Sequence, residues 1–94
     1  MTYNGKQIVI DYIPFPENIQ GCVYGMIAEG KTSYIILIDS TRSALTQRRA
    51  IGHELAHLYL NHFQSGKPVA EKEREANTRA WDFYRSYKSG TLSV

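Results

Sequence analysis

Cysteine is nearly absent from this sequence: Cys22 stands alone among 94 residues. A single thiol excludes an internal disulfide framework and a cysteine cluster around a metal. Long apolar runs are missing too, and none approaches the ~20 residues of a membrane-spanning helix. The opening Met1-Thr2-Tyr3-Asn4-Gly5 lacks the charged and apolar regions of a signal peptide. Charge of either sign is not in excess. Eleven basic and nine acidic residues leave a formal +2, scattered except for Arg48-Arg49, which is too little to argue for nucleic acid. There is no internal repeat, no low-complexity segment and no linker. These absences point to a protein of a reducing cytoplasm that touches neither a membrane nor nucleic acid directly. What remains is a chain with 43% hydrophobic residues and seven tyrosines. That suits one globular domain over residues 1–94 with a modest core, its tail at 88–94 expected to fray.

The first half reads as strands. Gln7 to Ile13, Q-I-V-I-D-Y-I, is β-branched and aromatic. Pro14-Phe15-Pro16 breaks it, because neither proline can donate to a sheet ladder. Cys22 to Ile27 reads as a second strand. A connection around Gly30 leads to Tyr34–Asp39, Y-I-I-L-I-D, the most apolar strand candidate. The second half reads as two helices. The first starts near Ser43 or Thr46, where a hydroxyl can accept an orphan backbone N–H, and runs to about His62. The second runs from about Pro68 to Tyr87, with Glu71 and Glu73 suiting its positive end. The fold expected is α+β: a small, three-stranded, largely antiparallel sheet followed by two packed helices.

The first helix carries His53-Glu54-Leu55-Ala56-His57. Positions i and i+4 share a helix face about 6 Å apart, so His53 and His57 can aim two imidazoles at one point. That is the start of a tetrahedral zinc site. Glu54 follows the first histidine directly and sits beside such an ion, free to act as a general base. Gly52 and Ala56 are small and leave room for other backbone to come close.

Two histidines need a third ligand. The candidates are Glu71, Glu73 and Glu75 on the second helix, and His62. Val69, Glu73, Ala76, Ala80, Phe83 and Tyr87 follow a 3,4 rhythm that forms an inward stripe. Glu73 is the carboxylate on it and is chosen as the ligand. Glu75 lines up instead with Arg79 and Asp82, an outward polar row in which a Glu75–Arg79 pair is an ordinary surface contact. Asn77, one turn beyond Glu73, is placed to orient Glu73 or a histidine through a hydrogen bond. His62 reads as a solvated residue or one that answers the helix dipole at the C-terminal end.

His53-Glu54-Leu55-Ala56-His57-Leu58 followed by Glu73-Arg74-Glu75-Ala76-Asn77 resembles the ImmA/IrrE family of zinc metallopeptidases, which carries HExxH on one helix and E-x-E-A-N on the next. The resemblance covers roughly residues 20 to 84. It implies one Zn²⁺ per chain on His53, His57 and Glu73, with Glu54 as the catalytic base. It further implies endopeptidase action on a protein, such as a helix-turn-helix transcriptional repressor in a bacterium or phage. Beyond the second motif the family continues with an apolar segment, whereas this chain reads Thr78-Arg79-Ala80-Trp81-Asp82-Phe83-Tyr84-Arg85. A second reading is therefore kept: a zinc-binding interaction module that grips a partner and cleaves little. Under the peptidase reading, Tyr34–Asp39 is expected to offer a sheet edge on which an extended peptide adds as a further strand.

Overall fold

The fold is taken from a computed structural model that describes residues 2–3, 6–15, 21–28, 31–60, 62 and 66–90. Four strands precede two helices: β1 (Thr2–Tyr3), β2 (Lys6–Ile13), β3 (Gly21–Ala28), β4 (Lys31–Asp39), α1 (Ala44–Tyr59) and α2 (Val69–Ser89). The α+β class and the order of strands before helices are as the sequence predicts.

The strands lie in the order β1-β2-β4-β3. β3 and β4 pair antiparallel, with Ala28 opposite Lys31. β2 runs parallel to β4, Ile8 facing Tyr34 and Ile10 facing Ile36. The two-residue β1 folds back antiparallel on β2. The sheet is thus largely antiparallel, as expected, with one parallel pair and with β1 as a short strand beyond the three expected. The parallel pair arises because the chain leaves β2, builds the β3–β4 hairpin and inserts β4 between its two neighbours. This corrects the expected role of Tyr34–Asp39. β4 has a partner on both sides and offers no edge; among the longer strands β3 is the edge. The unbroken apolar run in β4 has a physical reason. Ile36 and Ile38 are fully buried on the helix side, while Ile35 and Leu37 alternate onto the opposite face, where they are half-buried.

The core joins one sheet face to α1: Ile8, Ile36 and Ile38 pack with Ala50, Ile51, Leu55 and Leu58. α2 then closes on α1 through small residues. A methyl added at Gly52 would lie 1.8 Å from the Ala80 carbonyl oxygen, and Ala76 and Ala80 are themselves fully buried. The small residue at 52 therefore admits the α2 backbone. Asp39 fixes where α1 begins. It is 1% exposed; its Oδ1 accepts from the Thr41 amide at 3.0 Å, the Thr41 hydroxyl at 2.7 Å and the Phe15 amide at 3.2 Å. Its Oδ2 accepts from Arg42 Nε at 3.0 Å. The end of β2, the end of β4 and the start of α1 are so tied to one carboxylate. Ser43 caps α1, accepting from the Thr46 amide at 3.2 Å.

α2 extends further than expected. Lys88 and Ser89 are helical, and Gly90 closes the helix in the left-handed region at φ 75°, donating to the Ser86 and Tyr87 carbonyls. The expected fraying at 88–90 is thus replaced by a capped helix end, and the remainder of that tail, 91–94, lies outside the described residues. The connections expected at 16–20 and 29–30 also lie outside the described residues, as do 61 and 63–65. No helix among the described residues is long and apolar enough to cross a membrane.

Candidate metal centre

α1 presents His53 and His57 from successive turns of one face, and α2 brings Glu73 against them. His53 Nε2 and His57 Nε2 are 3.1 Å apart. Glu73 reaches both: Oε2 is 3.1 Å from His53 Nε2 and Oε1 is 3.0 Å from His57 Nε2. One ligand atom from each of the three residues lies within 4.8 Å of the other two. The close α1–α2 contact at Gly52 makes this possible, since it carries the first turns of α2 past the histidine face. Two imidazole nitrogens and a carboxylate are a donor set that suits zinc and other borderline divalent ions. Both histidines are mostly covered, while the Glu73 side chain is 48% exposed, so the cluster opens to solvent on the α2 side.

Glu54 lies beside the histidine face of α1, on the side toward the sheet. It is 8% exposed, and a methyl added at Gly21, the first residue of β3, would lie 3.6 Å from its Cγ. Burial pushes its carboxyl up to about 7, with the nearby charge of Glu73 adding to the effect. A bound cation acts in the opposite direction and favours the carboxylate. The same environment raises the Cys22 thiol, through burial first and the Glu54 charge second.

The first histidine pair has a support that sequence reasoning misjudged. His62 is neither solvated nor a dipole residue: it is 3% exposed, and its Nδ1 is 2.8 Å from His57 Nδ1. Its other nitrogen, Nε2, is 3.0 Å from Glu75 Oε1, and Glu75 Oε2 accepts from Lys67 Nζ at 2.9 Å. Glu75 therefore does not sit in an outward row with Arg79. Arg79 turns to Asp82, 3.5 Å away, and over the Phe83 ring, 5.2 Å from its centroid. The bond from Lys67, then that from His62, hold the Glu75 carboxyl below its ordinary value. The reason His62 escaped helical phase is local. Its amide donates to the His57 carbonyl at 3.0 Å, five residues back. The chain has left the α-helical winding there, and the wider turn swings residue 62 beneath residue 57. Asn77 also differs from expectation. It is exposed and accepts from Arg49 Nη2 at 3.2 Å, joining the two helices rather than orienting Glu73. Burial lowers the His57 pKa, with Glu73 acting against that.

A peptidase family model described as the IrrE N-terminal-like domain matches residues 6–83. No curated protein and no solved structure matches the chain.

Proposed function

Because the chain belongs to the peptidase family of the IrrE N-terminal-like domain, we propose that it is a zinc-dependent endopeptidase of the gluzincin type. His53, His57 and Glu73 hold the ion and Glu54 is the general base. The observation that carries this is the convergence of three ligand atoms from two helices beside a buried carboxylate that can hold or release a proton near neutral pH. When bound, zinc polarises a peptide carbonyl and makes water a nucleophile near pH 7. Glu54 takes the proton of the attacking water and returns it to the leaving amine. Burial keeps competing water from the Glu54 carboxyl.

β3 is the strand best suited to receive substrate. It is an edge of the sheet, and its first residue lies against Glu54. An extended segment added to this edge by main-chain hydrogen bonds would pass the general base. The substrate class is accordingly a flexible, extended segment of a protein; the family resemblance suggests a helix-turn-helix transcriptional repressor. The reaction belongs in a reducing cytoplasm, in keeping with the lone Cys22 thiol. The interaction-module reading has one observation in its favour: Val9 and Ile13, on the β2 face turned away from the helices, are 41% and 39% exposed, a surface that catalysis does not use.

Three variants test the reading. Purified protein is expected to hold one zinc per chain, and Glu73→Ala to lose most of it while Glu71→Ala keeps it. Glu54→Gln is expected to keep zinc and to hydrolyse an unstructured protein substrate about 10²–10⁴-fold more slowly. Wild-type protein that binds zinc and cleaves no better than Glu54→Gln would favour the interaction module.

A further inference from the structure

We propose that His62 and Glu75 form a directional hydrogen-bond relay that sets the tautomer and orientation of His57, making both positioning residues for the metal site. The inference rests on the reading of His57 as a ligand through Nε2.

The direction follows from proton counting. Glu75 Oε2 accepts from the Lys67 ammonium at 2.9 Å, so Glu75 is held as a carboxylate and its other oxygen can only accept. That oxygen, Oε1, is 3.0 Å from His62 Nε2, which must therefore carry the proton. A metal held by His57 Nε2 would use the lone pair there and leave the His57 proton on Nδ1. His62 Nδ1, 2.8 Å away, then offers the lone pair that accepts it. With its proton on Nδ1, His57 has its lone pair on Nε2, the atom that meets His53 and Glu73. Each link forces the next. With a metal on His57 Nε2, reversing any one of them would set two lone pairs or two protons against each other.

Burial makes the relay strict. His62 is 3% exposed, so water is poorly placed to substitute for a missing partner. The Glu75 charge polarises His62, and the polarised Nδ1 is a stronger acceptor, which makes His57 a more basic ligand. Lys67 lies just before α2 and Glu75 within it, so the relay also ties the entry of that helix to the end of α1. Nothing comparable supports His53 among the described residues. The site is thus unequal: one histidine is fixed from behind and the other is held by its position on the helix.

The competing arrangement is a His62 imidazolium that donates from both nitrogens, to Glu75 and to His57. It would move the His57 proton to Nε2 and block the lone pair that a metal needs. Imidazole nitrogen–proton correlation spectra of ¹⁵N-labelled, zinc-loaded protein separate the two. The expected result is His57 protonated at Nδ1 and His62 at Nε2 only. Glu75→Gln offers both a donor and an acceptor to His62 and removes the direction. Its zinc Kd, from chelator competition, is expected to rise about 10–100-fold with the melting temperature little changed. His62→Leu should weaken zinc similarly, and His62→Gln, whose amide oxygen can accept from Nδ1–H, should recover most of the loss. His57 protonated on Nε2 in the wild type, a doubly protonated His62, or Glu75→Gln that binds zinc as the wild type does would each overturn the relay. If the wild type itself fails to bind zinc, the metal reading falls; if it binds zinc and the Glu75 and His62 variants bind it equally well, the relay alone falls.

Discussion

Glu54 carries a cost that its function requires. A carboxyl with a pKa raised from 4.5 to about 7 is easier to protonate in the folded protein than in the unfolded chain. Its contribution is therefore neutral below pH 4.5 and destabilising as pH rises toward 7 and beyond. In metal-free protein, Glu54→Gln keeps the shape and removes the charge. We expect it to be more stable than wild type at pH 8, by up to roughly 3 kcal/mol, and nearly equal to it at pH 4.5. Chemical denaturation in the presence of a chelator at the two pH values checks this, and equal stabilities at pH 8 would mean that the carboxylate is better solvated than its burial suggests. Single residues were legible in the sequence when a fixed helical spacing governed them. His53 and His57 are related by one turn, and Glu73 by its phase within α2. His62 and Glu75 were not legible. Their meeting depends on a widened turn after Tyr59 and on how far α2 is shifted along α1, neither of which a periodicity records.

The packing of α1 on α2 turns on Gly52. A methyl there would fall 1.8 Å from the Ala80 carbonyl oxygen and 2.7 Å from its carbon, both parts of a helix backbone that cannot rotate away. Gly52→Ala gains about 1 kcal/mol in helix propensity. It must also force the helices apart, and overpacking of a tight core costs about 1–3 kcal/mol, occasionally more. We expect a net loss of stability, read as a lower melting temperature, together with weaker zinc binding, because Glu73 moves with α2. A Gly52→Ala protein that melts higher than wild type would show that the contact is looser than described. At this scale the helices and strands were readable from β-branched runs, caps and proline breaks. The pairing of the strands was not. β-branched content tells that β2, β3 and β4 are strands, but β2 running parallel to β4 is decided by which neighbour completes the buried face of Ile36 and Ile38. β1 is two residues long, too short to leave a pattern.

Across the whole molecule, Asp39 is where sheet and helices are joined. Bonds from the Thr41 hydroxyl and amide, and then from Arg42 and Phe15, hold its carboxyl well below the usual carboxylate range. A depressed pKa stabilises the fold above the unfolded value near 4 and loses that contribution as pH falls below it. Asp39→Asn is expected to lower the melting temperature at pH 7. The gap to wild type should narrow as both are acidified below about pH 4, and a gap independent of pH would mean that packing, not charge, is lost. The order in which the strands lie has a consequence for how the chain reaches this structure. The β3–β4 hairpin and the α1–α2 pair join near neighbours in sequence, so their loops close at small entropic cost. β2 pairs with β4 only across the intervening hairpin. It should therefore dock after the hairpin and helices have formed. In kinetic terms, substitutions at Ile8 or Ile10 are expected to quicken unfolding and leave the folding rate almost unchanged, and those at Ile36 or Leu55 to slow folding itself.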